Sequence, residues 1–97
     1  MTHEDARKKV EIYLQILSEG ENYALAIIED ATIEKDFGWV FFYNSKKYLE
    51  TKNFSDVIVG NAPILVSKKD GELYETGTAY PIEHYIANFE KYGTCYP

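Results

Sequence analysis

The strongest strand signal in the chain is Gly38-Trp39-Val40-Phe41-Phe42-Tyr43-Asn44. Its side chains alternate between two faces: one takes Trp39, Phe41 and Tyr43, the other takes Val40, Phe42 and Asn44. Most of these positions are apolar on both faces, which is typical of a strand buried inside a sheet. This stretch therefore predicts a central β-strand, and the rest of the chain can be arranged around it.

Outward from this strand, the chain follows the order α-β-β-β-β-α. Thr2 and Asp5 have the spacing of a capping box, and an apolar stripe follows them, which together predict a first helix over residues 3–18. The other predicted elements are a strand at 23–34 with Leu25, Ile27, Ala31 and Ile33 on one side, a hairpin of strands at 62–67 and 72–76 around Asp70-Gly71, and a helix from Pro81 to Gly93. Ser45–Asn61 is irregular and predicts an ordered surface loop.

These elements predict one α+β domain over residues 1–97. Four strands joined by short turns favour a four-stranded antiparallel meander sheet, with the N- and C-terminal helices packed on one face. In this arrangement the opposite face of the sheet is left open. That open face is where a partner would bind.

Composition restricts the function. The chain has 97 residues, 45% of them apolar and 15% aromatic, and a net charge of −6. The acidic charge argues against nucleic acid as a ligand of this chain, since phosphate binding needs a positive surface. No stretch approaches the ~20 consecutive apolar residues of a membrane span. We therefore expect a cytoplasmic protein with neither nucleic acid nor membrane as its partner.

Residues with catalytic potential are few and scattered. Cys95 is the only cysteine, so the chain forms no internal disulfide. Cys95 and His84 would make a nucleophilic pair only if the fold brought them together, and nothing nearby in the sequence activates either one. We interpret His84 as a helix-surface residue and Cys95 as a tail residue. The carboxylates match no metal-binding spacing, so we expect no cofactor, no metal and no enzymatic activity.

The aromatic excess suggests a protein-binding patch on the open sheet face. Its predicted members are Phe42 and Tyr74, with Asp30, Thr32, Glu34 and Asn44 around them. A second interpretation is that Ser45–Asn61 folds over this face and buries Phe42 in a second small core. The sequence does not decide between the two.

Several motifs together resemble the immunity protein 35 family, also called YrhB-like. They are the aromatic strand at 38–43, Gly60-Asn61-Ala62-Pro63-Ile64-Leu65-Val66, the Asp70-Gly71 and Gly77-Thr78 turns, and Pro81-Ile82-Glu83-His84-Tyr85-Ile86. The resemblance covers most of the chain, and its distinctive part is the aromatic strand followed by the Gly-Asn-Ala-Pro strand entry. It implies a small cytoplasmic protein, encoded beside a bacterial polymorphic toxin, that neutralises this toxin without an enzymatic step.

Two function hypotheses follow. The first is an immunity protein that binds its cognate toxin tightly, with Phe42 and Tyr74 as anchors and with Asp30 and Glu34 meeting basic toxin residues. The alternative is a small holdase-type chaperone that binds unfolded clients through the same aromatic sheet face. A bare edge strand would also let two copies pair, so a homodimer stays among the expected partners.

Overall fold

The structure is a computed structural model, and it describes residues 1–21 and 23–97. The α-helices in this part of the chain are α1 (His3–Ser18), α2 (Lys46–Thr51) and α3 (Ile82–Tyr92). The strands are β1 (Leu25–Ile27), β2 (Ile33–Lys35), β3 (Gly38–Phe41), β4 (Tyr43–Ser45), β5 (Ile64–Ser67) and β6 (Leu73–Glu75). Short 3₁₀ helices cover Glu29–Ala31 and Phe54–Asp56.

Helix α1 has the predicted start and end. The Thr2 hydroxyl accepts a hydrogen bond from the Asp5 backbone N–H, and the Asp5 carboxylate accepts one from the Thr2 N–H, so the predicted capping box is confirmed. One face of the helix buries Ala6, Val10 and Leu14 completely. This stripe fixes α1 against the sheet.

The strands form two antiparallel sheets. The larger sheet has the order β2-β3-β5-β6, and the smaller one pairs β1 with β4. In the register, Trp39 lies opposite Val66, and Leu65 lies opposite both Val40 and Tyr74. The predicted α+β class and the four-stranded antiparallel sheet with β3 inside it are confirmed. The predicted strand over residues 38–44 is broken at Phe42, and its last part, β4, pairs with β1 in the smaller sheet.

The predicted continuous strand at 23–34 is wrong, because a 3₁₀ helix interrupts it. Ile28 N–H donates to the Phe42 carbonyl at 2.8 Å, and the chain then turns away through Glu29–Ala31 before β2 begins. The interruption changes which face the later residues point to. Ile27 packs in the cluster under α1, whereas Ile33 packs on the other side of the sheet. Sequence alternation had placed both on one side.

The two long helices lie on opposite faces of the sheet, so their predicted placement on one face is wrong. The α1 cluster takes Ala6, Val10, Leu14, Ile27, Trp39, Phe41, Ile64 and Val66; the α3 cluster takes Val40, Leu65, Tyr85, Ile86, Phe89 and Cys95. The physical reason is the alternation itself. Successive residues of a strand point to opposite faces, and here both sets are apolar and need to be covered.

Residues 45–61 contain a helix that the sequence analysis missed. The Ser45 hydroxyl accepts from the Tyr48 N–H and thereby caps α2, and it also donates to the Asp56 carbonyl at 2.6 Å. Lys52 ends the helix in the left-handed conformation, at φ 59°. The predicted ordered surface segment is therefore a helical turn fastened to β4.

Candidate partner-binding site

The face predicted to be open is covered by α3. Phe42 and Tyr74 are both half-buried and pack against the α3 cluster. The ring of Tyr74 meets Phe89 of α3 edge-on, with 5.0 Å between the ring centroids. The premise of an open sheet face is therefore wrong, and α3, rather than the 45–61 segment, supplies the cover. The role of these two residues as partner contacts stays a prediction.

Asn44 is used by the chain itself. Its side-chain amide donates to the Ile58 carbonyl at 3.0 Å, and its oxygen accepts from the Ile58 N–H at 2.8 Å. The same oxygen accepts from the Ser45 N–H. These bonds hold the 57–59 segment against β4, so Asn44 fixes the position of a loop.

Of the other polar residues in the predicted patch, Glu34 lies on the opposite sheet face from the two aromatic ones. Asp30 is exposed in the 3₁₀ turn, and Thr32 is half-buried just after it. Glu34 is exposed on β2, where it pairs in register with Trp39 and so points to the α1 side. Its carboxylate lies 3.4 Å from the Lys68 ammonium. The structure thus does not bring the six residues together on one surface.

A different cluster lies around Glu75, at the end of β6. Glu75 pairs in register with Ile64, so it shares the α1 face of the sheet, and the Tyr13 hydroxyl donates a hydrogen bond to its carboxylate. A cavity of about 240 Å³ opens beside it, lined by Tyr13, Leu17, Tyr43, Gly60, Asn61, Ala62, Ile64, Glu75 and Thr76. Asn61 closes one wall by donating to the Tyr43 carbonyl at 2.6 Å.

The tyrosines around Glu75 remain protonated at neutral pH. Burial, followed by the hydrogen bond to Glu75, raises the pKa of Tyr13 far above its usual value of 10.0. Burial also raises the pKa of Tyr43, and the Glu75 charge adds to this effect. Tyr96, in the C-terminal segment, also has a raised pKa. Desolvation contributes most to this rise, and the Glu75 charge adds a smaller part. One carboxylate therefore acts on phenols from three parts of the chain.

Sequence reasoning missed this cluster. Tyr13 belongs to the apolar stripe of α1, and Glu75 resembles any other solvated carboxylate at a strand end. The two residues are 62 positions apart. A partial signal exists, because strand alternation from Leu73 places Glu75 on the α1 face of β6, although its side chain stays exposed at the strand end.

A second cavity, of about 440 Å³, lies along α3 and contains both residues of the suggested Cys-His pair. His84 stacks on Tyr80 at 4.2 Å, and the Asn88 amide lies 3.3 Å from the His84 Nε2 while donating to the Cys95 carbonyl. His84 is exposed as predicted, but Cys95 is buried in the α3 cluster instead of lying free in the tail. Burial raises the pKa of the Cys95 thiol, which disfavours the nucleophilic thiolate.

Over residues 1–21 and 23–97, no group of three histidine, cysteine, aspartate or glutamate side chains is placed to hold a metal ion. Within the same residues, no helix has the length and the apolar character needed to cross a bilayer.

Comparison with known proteins gives the family. The family model described as "Immunity protein 35" matches residues 4–88, which is most of the chain. The chain belongs to the Immunity protein 35 family. The resemblance inferred from its motifs is thereby confirmed.

The chain is also similar to a curated protein. Over 53 residues it is 38% identical to a protein of Escherichia coli (strain K12) described as "Uncharacterized protein YrhB". The matched stretch is 55% of this chain, and the chain spans 56% of that protein's length. No solved structure matches the chain significantly.

Membership of the Immunity protein 35 family suggests a toxin-neutralising role. The matched residues include α1, both sheets and the first part of α3, so they contain Tyr13, Tyr43 and Glu75. They end before Cys95 and Tyr96. The family match therefore covers the Glu75 cavity but not the last residues of the α3 cavity.

Proposed function

We propose that this member of the Immunity protein 35 family neutralises a cognate bacterial toxin by direct, tight, one-to-one binding in the cytoplasm, without an enzymatic step. The family match over residues 4–88 carries the proposal. Neutralisation of this kind needs a rigid scaffold and a complementary surface. The two packed clusters supply the scaffold, and the acidic surface supports binding to a basic toxin face.

The charge of the chain favours fast association with a basic partner. A net charge of −6 attracts positive surfaces over a distance of about one Debye length and raises the association rate at low salt. Asp30 and Glu34 are exposed, and we propose that they meet basic toxin residues. Thr32, Phe42, Asn44 and Tyr74 are each half-buried, so any contact they make with the toxin is through their remaining exposed atoms.

Co-expression tests the proposal. The toxin encoded beside this protein's gene should stop growth when expressed alone and should be tolerated when this chain is produced with it. The purified pair should migrate as a one-to-one complex in sedimentation or light scattering, and the free chain run alongside reports whether it forms a homodimer. If cells die equally with and without the chain, the proposed function is wrong.

The proposed acidic contacts can be tested separately. The double variant Asp30→Asn/Glu34→Gln should slow association with the toxin several-fold at low salt and change dissociation less, as expected for charges at the rim of an interface. The matched control is Glu50→Gln/Glu90→Gln, which removes the same charge from other exposed positions. Equal rates for the two variants would assign the effect to net charge alone.

The holdase alternative depended on an aromatic sheet face open to unfolded clients, and α3 covers that face. Unfolded clients therefore have no open aromatic sheet face to bind among the described residues. An aggregation assay still separates the two activities, because a holdase protects unrelated clients at equimolar amounts whereas a specific immunity protein leaves them to aggregate.

A further inference from the structure

Glu75 lies beside two tyrosines from distant parts of the chain. Tyr13 comes from α1 and Tyr43 from β4, both line the Glu75 cavity, and the Glu75 charge raises the pKa of each. Tyr13 donates to one carboxylate oxygen, and Glu75 lines the adjoining cavity. The arrangement is a carboxylate with aromatic walls at the edge of the sheet.

No basic side chain of residues 1–21 and 23–97 neutralises the charge of Glu75. Among the described residues, Glu75 makes no ion pair with any lysine, arginine or histidine, although Glu4, Glu11, Glu29, Glu34 and Asp56 all do. Likewise, no basic side chain of the described residues lines the cavity. A partner that covered this cavity with neutral groups would leave the carboxylate desolvated and without a counterion, which is costly.

The chemistry of the walls favours a cation. Protonated tyrosine rings attract an ammonium or guanidinium group over their faces, and the effect strengthens when water is excluded. A carboxylate at the same place adds a charge-assisted hydrogen bond. The cavity of about 240 Å³ has room for one long side chain, with the apolar Leu17 at its wall to receive a methylene stem.

We propose that the Glu75 cavity receives an arginine or lysine side chain of the toxin, with Glu75 as its counterion and Tyr13 and Tyr43 as its walls. This inference rests on the proposed function and names the chemistry of the partner at one site. It differs from the contact set predicted from the sequence, because the anchor is a buried cation on the α1 side of the sheet. Asp30 and Glu34 then speed association with the toxin, and Glu75 slows its dissociation.

The variant Glu75→Gln tests the proposal with little structural change. The amide oxygen still accepts from the Tyr13 hydroxyl, but the negative charge is gone. The dissociation constant for the toxin should rise at least about tenfold, mainly through faster dissociation. Tyr43→Phe keeps the ring and should cost less than Glu75→Gln. Glu50→Gln removes one exposed charge elsewhere and should stay within about twofold of the unmodified chain.

The outcomes separate this proposal from the proposed function. If the unmodified chain neutralises the toxin and Glu75→Gln binds it as well as Glu50→Gln does, the cation site is wrong and the function stands. If the unmodified chain does not bind the toxin, the proposed function is wrong. Thermal unfolding of each variant guards against loss of the fold, and the arginine and citrulline probes described next test the site in the unmodified chain should Glu75→Gln be unstable.

A probe without the toxin tests the site directly. N-acetyl-arginine amide, titrated at millimolar concentrations into the isotope-labelled chain, should shift the NMR amide signals of Tyr43, Asn61, Glu75 and Thr76. The neutral analogue N-acetyl-citrulline amide has nearly the same shape and should not shift them, and Glu75→Gln should abolish the arginine effect. Equal shifts with both compounds, or no shift with arginine, would overturn the proposal.

Discussion

Gly38 begins β3 with a φ of 152°, a conformation that residues with a β-carbon rarely adopt. A β-carbon on Gly38 would overlap the Val66 carbonyl, 3.0 Å from its carbon, and would lie 3.2 Å from the Lys68 nitrogen. Both neighbours are backbone atoms, which cannot rotate away. We therefore expect Gly38→Ala to lower the free energy of unfolding by more than about 3 kcal/mol, measured by chemical denaturation.

Gly20 provides the control for Gly38. It has a φ of 84°, but nothing lies within 4 Å of the place where its β-carbon would stand. Gly20→Ala should thus cost only the backbone strain, on the order of 1–2 kcal/mol. If both variants lost the same free energy of unfolding, close contact with β5 would not explain why position 38 requires glycine.

Asn44 gives a second prediction at this scale. Its two hydrogen bonds to Ile58 and one from Ser45 lie in a half-buried place, so Asn44→Ala should lower the free energy of unfolding by about 1–3 kcal/mol. Hydrogen exchange of the Ile58 amide should accelerate with it. Asn53→Ala, at an exposed cap that binds only Ser55, should cost about 1 kcal/mol or less. An unchanged exchange rate at Ile58 would contradict the assigned role.

Among the elements, the arrangement of helices on two faces predicts which substitutions act independently. Val10 of α1 and Ile86 of α3 belong to different clusters, separated by the sheet. The free-energy losses of Val10→Ala and Ile86→Val should therefore add within about 0.5 kcal/mol in the double variant. Val10→Ala with Val66→Ala, in one cluster, should deviate from additivity by more than that. Strong coupling between Val10 and Ile86 would contradict two separate faces.

Alternation and caps were enough to predict most elements. The helix at 3–18, the hairpin around Asp70-Gly71 and the end of α3 at Gly93 all follow from local residues. Local residues did not predict which face of the sheet α3 covers, because an apolar stripe on a helix fits either face equally well. Val40 and Leu65 carried the missing signal, since apolar residues on both faces of two neighbouring strands require two covers. The turn at Glu29–Ala31 has no local marker of comparable strength.

At the scale of the whole molecule, four tyrosines link stability to pH. The pKa is raised in the folded chain for Tyr13, Tyr43, Tyr74 and Tyr96. A tyrosine whose pKa is higher in the folded than in the unfolded chain stabilises the fold. This contribution is complete at pH values below the unfolded-state pKa, and it is lost as the pH rises through the folded-state pKa. The free energy of unfolding should therefore fall once the pH exceeds 10.0, the ordinary tyrosine value.

Urea titrations across this pH range measure the fall. The double variant Tyr13→Phe/Tyr43→Phe removes two half-buried phenols with raised pKa values, so its stability should decline less steeply above that pH. Comparing slopes rather than absolute stabilities avoids the effect of losing the hydrogen bond from Tyr13 to Glu75. An equally steep decline in the double variant would mean that other groups cause the alkaline loss.

The candidate site was less predictable than the fold because it depends on contacts between distant residues. Phe42 was correctly placed on the opposite strand face from Trp39, but the element covering it was not foreseen. Glu75 and Tyr13 become neighbours only when α1 lies across the end of β6. Local patterns report which face a side chain takes, and they say little about which element crosses that face.

The placement of α3 also has a consequence during synthesis. The strands emerge from the ribosome before residues 82–92, so Val40, Leu65 and Phe42 have no cover until α3 has been synthesised. Newly made chains pass through an interval in which one side of the sheet is apolar and accessible, the condition under which unfinished proteins aggregate. Products terminated before α3 would stay in that state permanently and should accumulate as insoluble material.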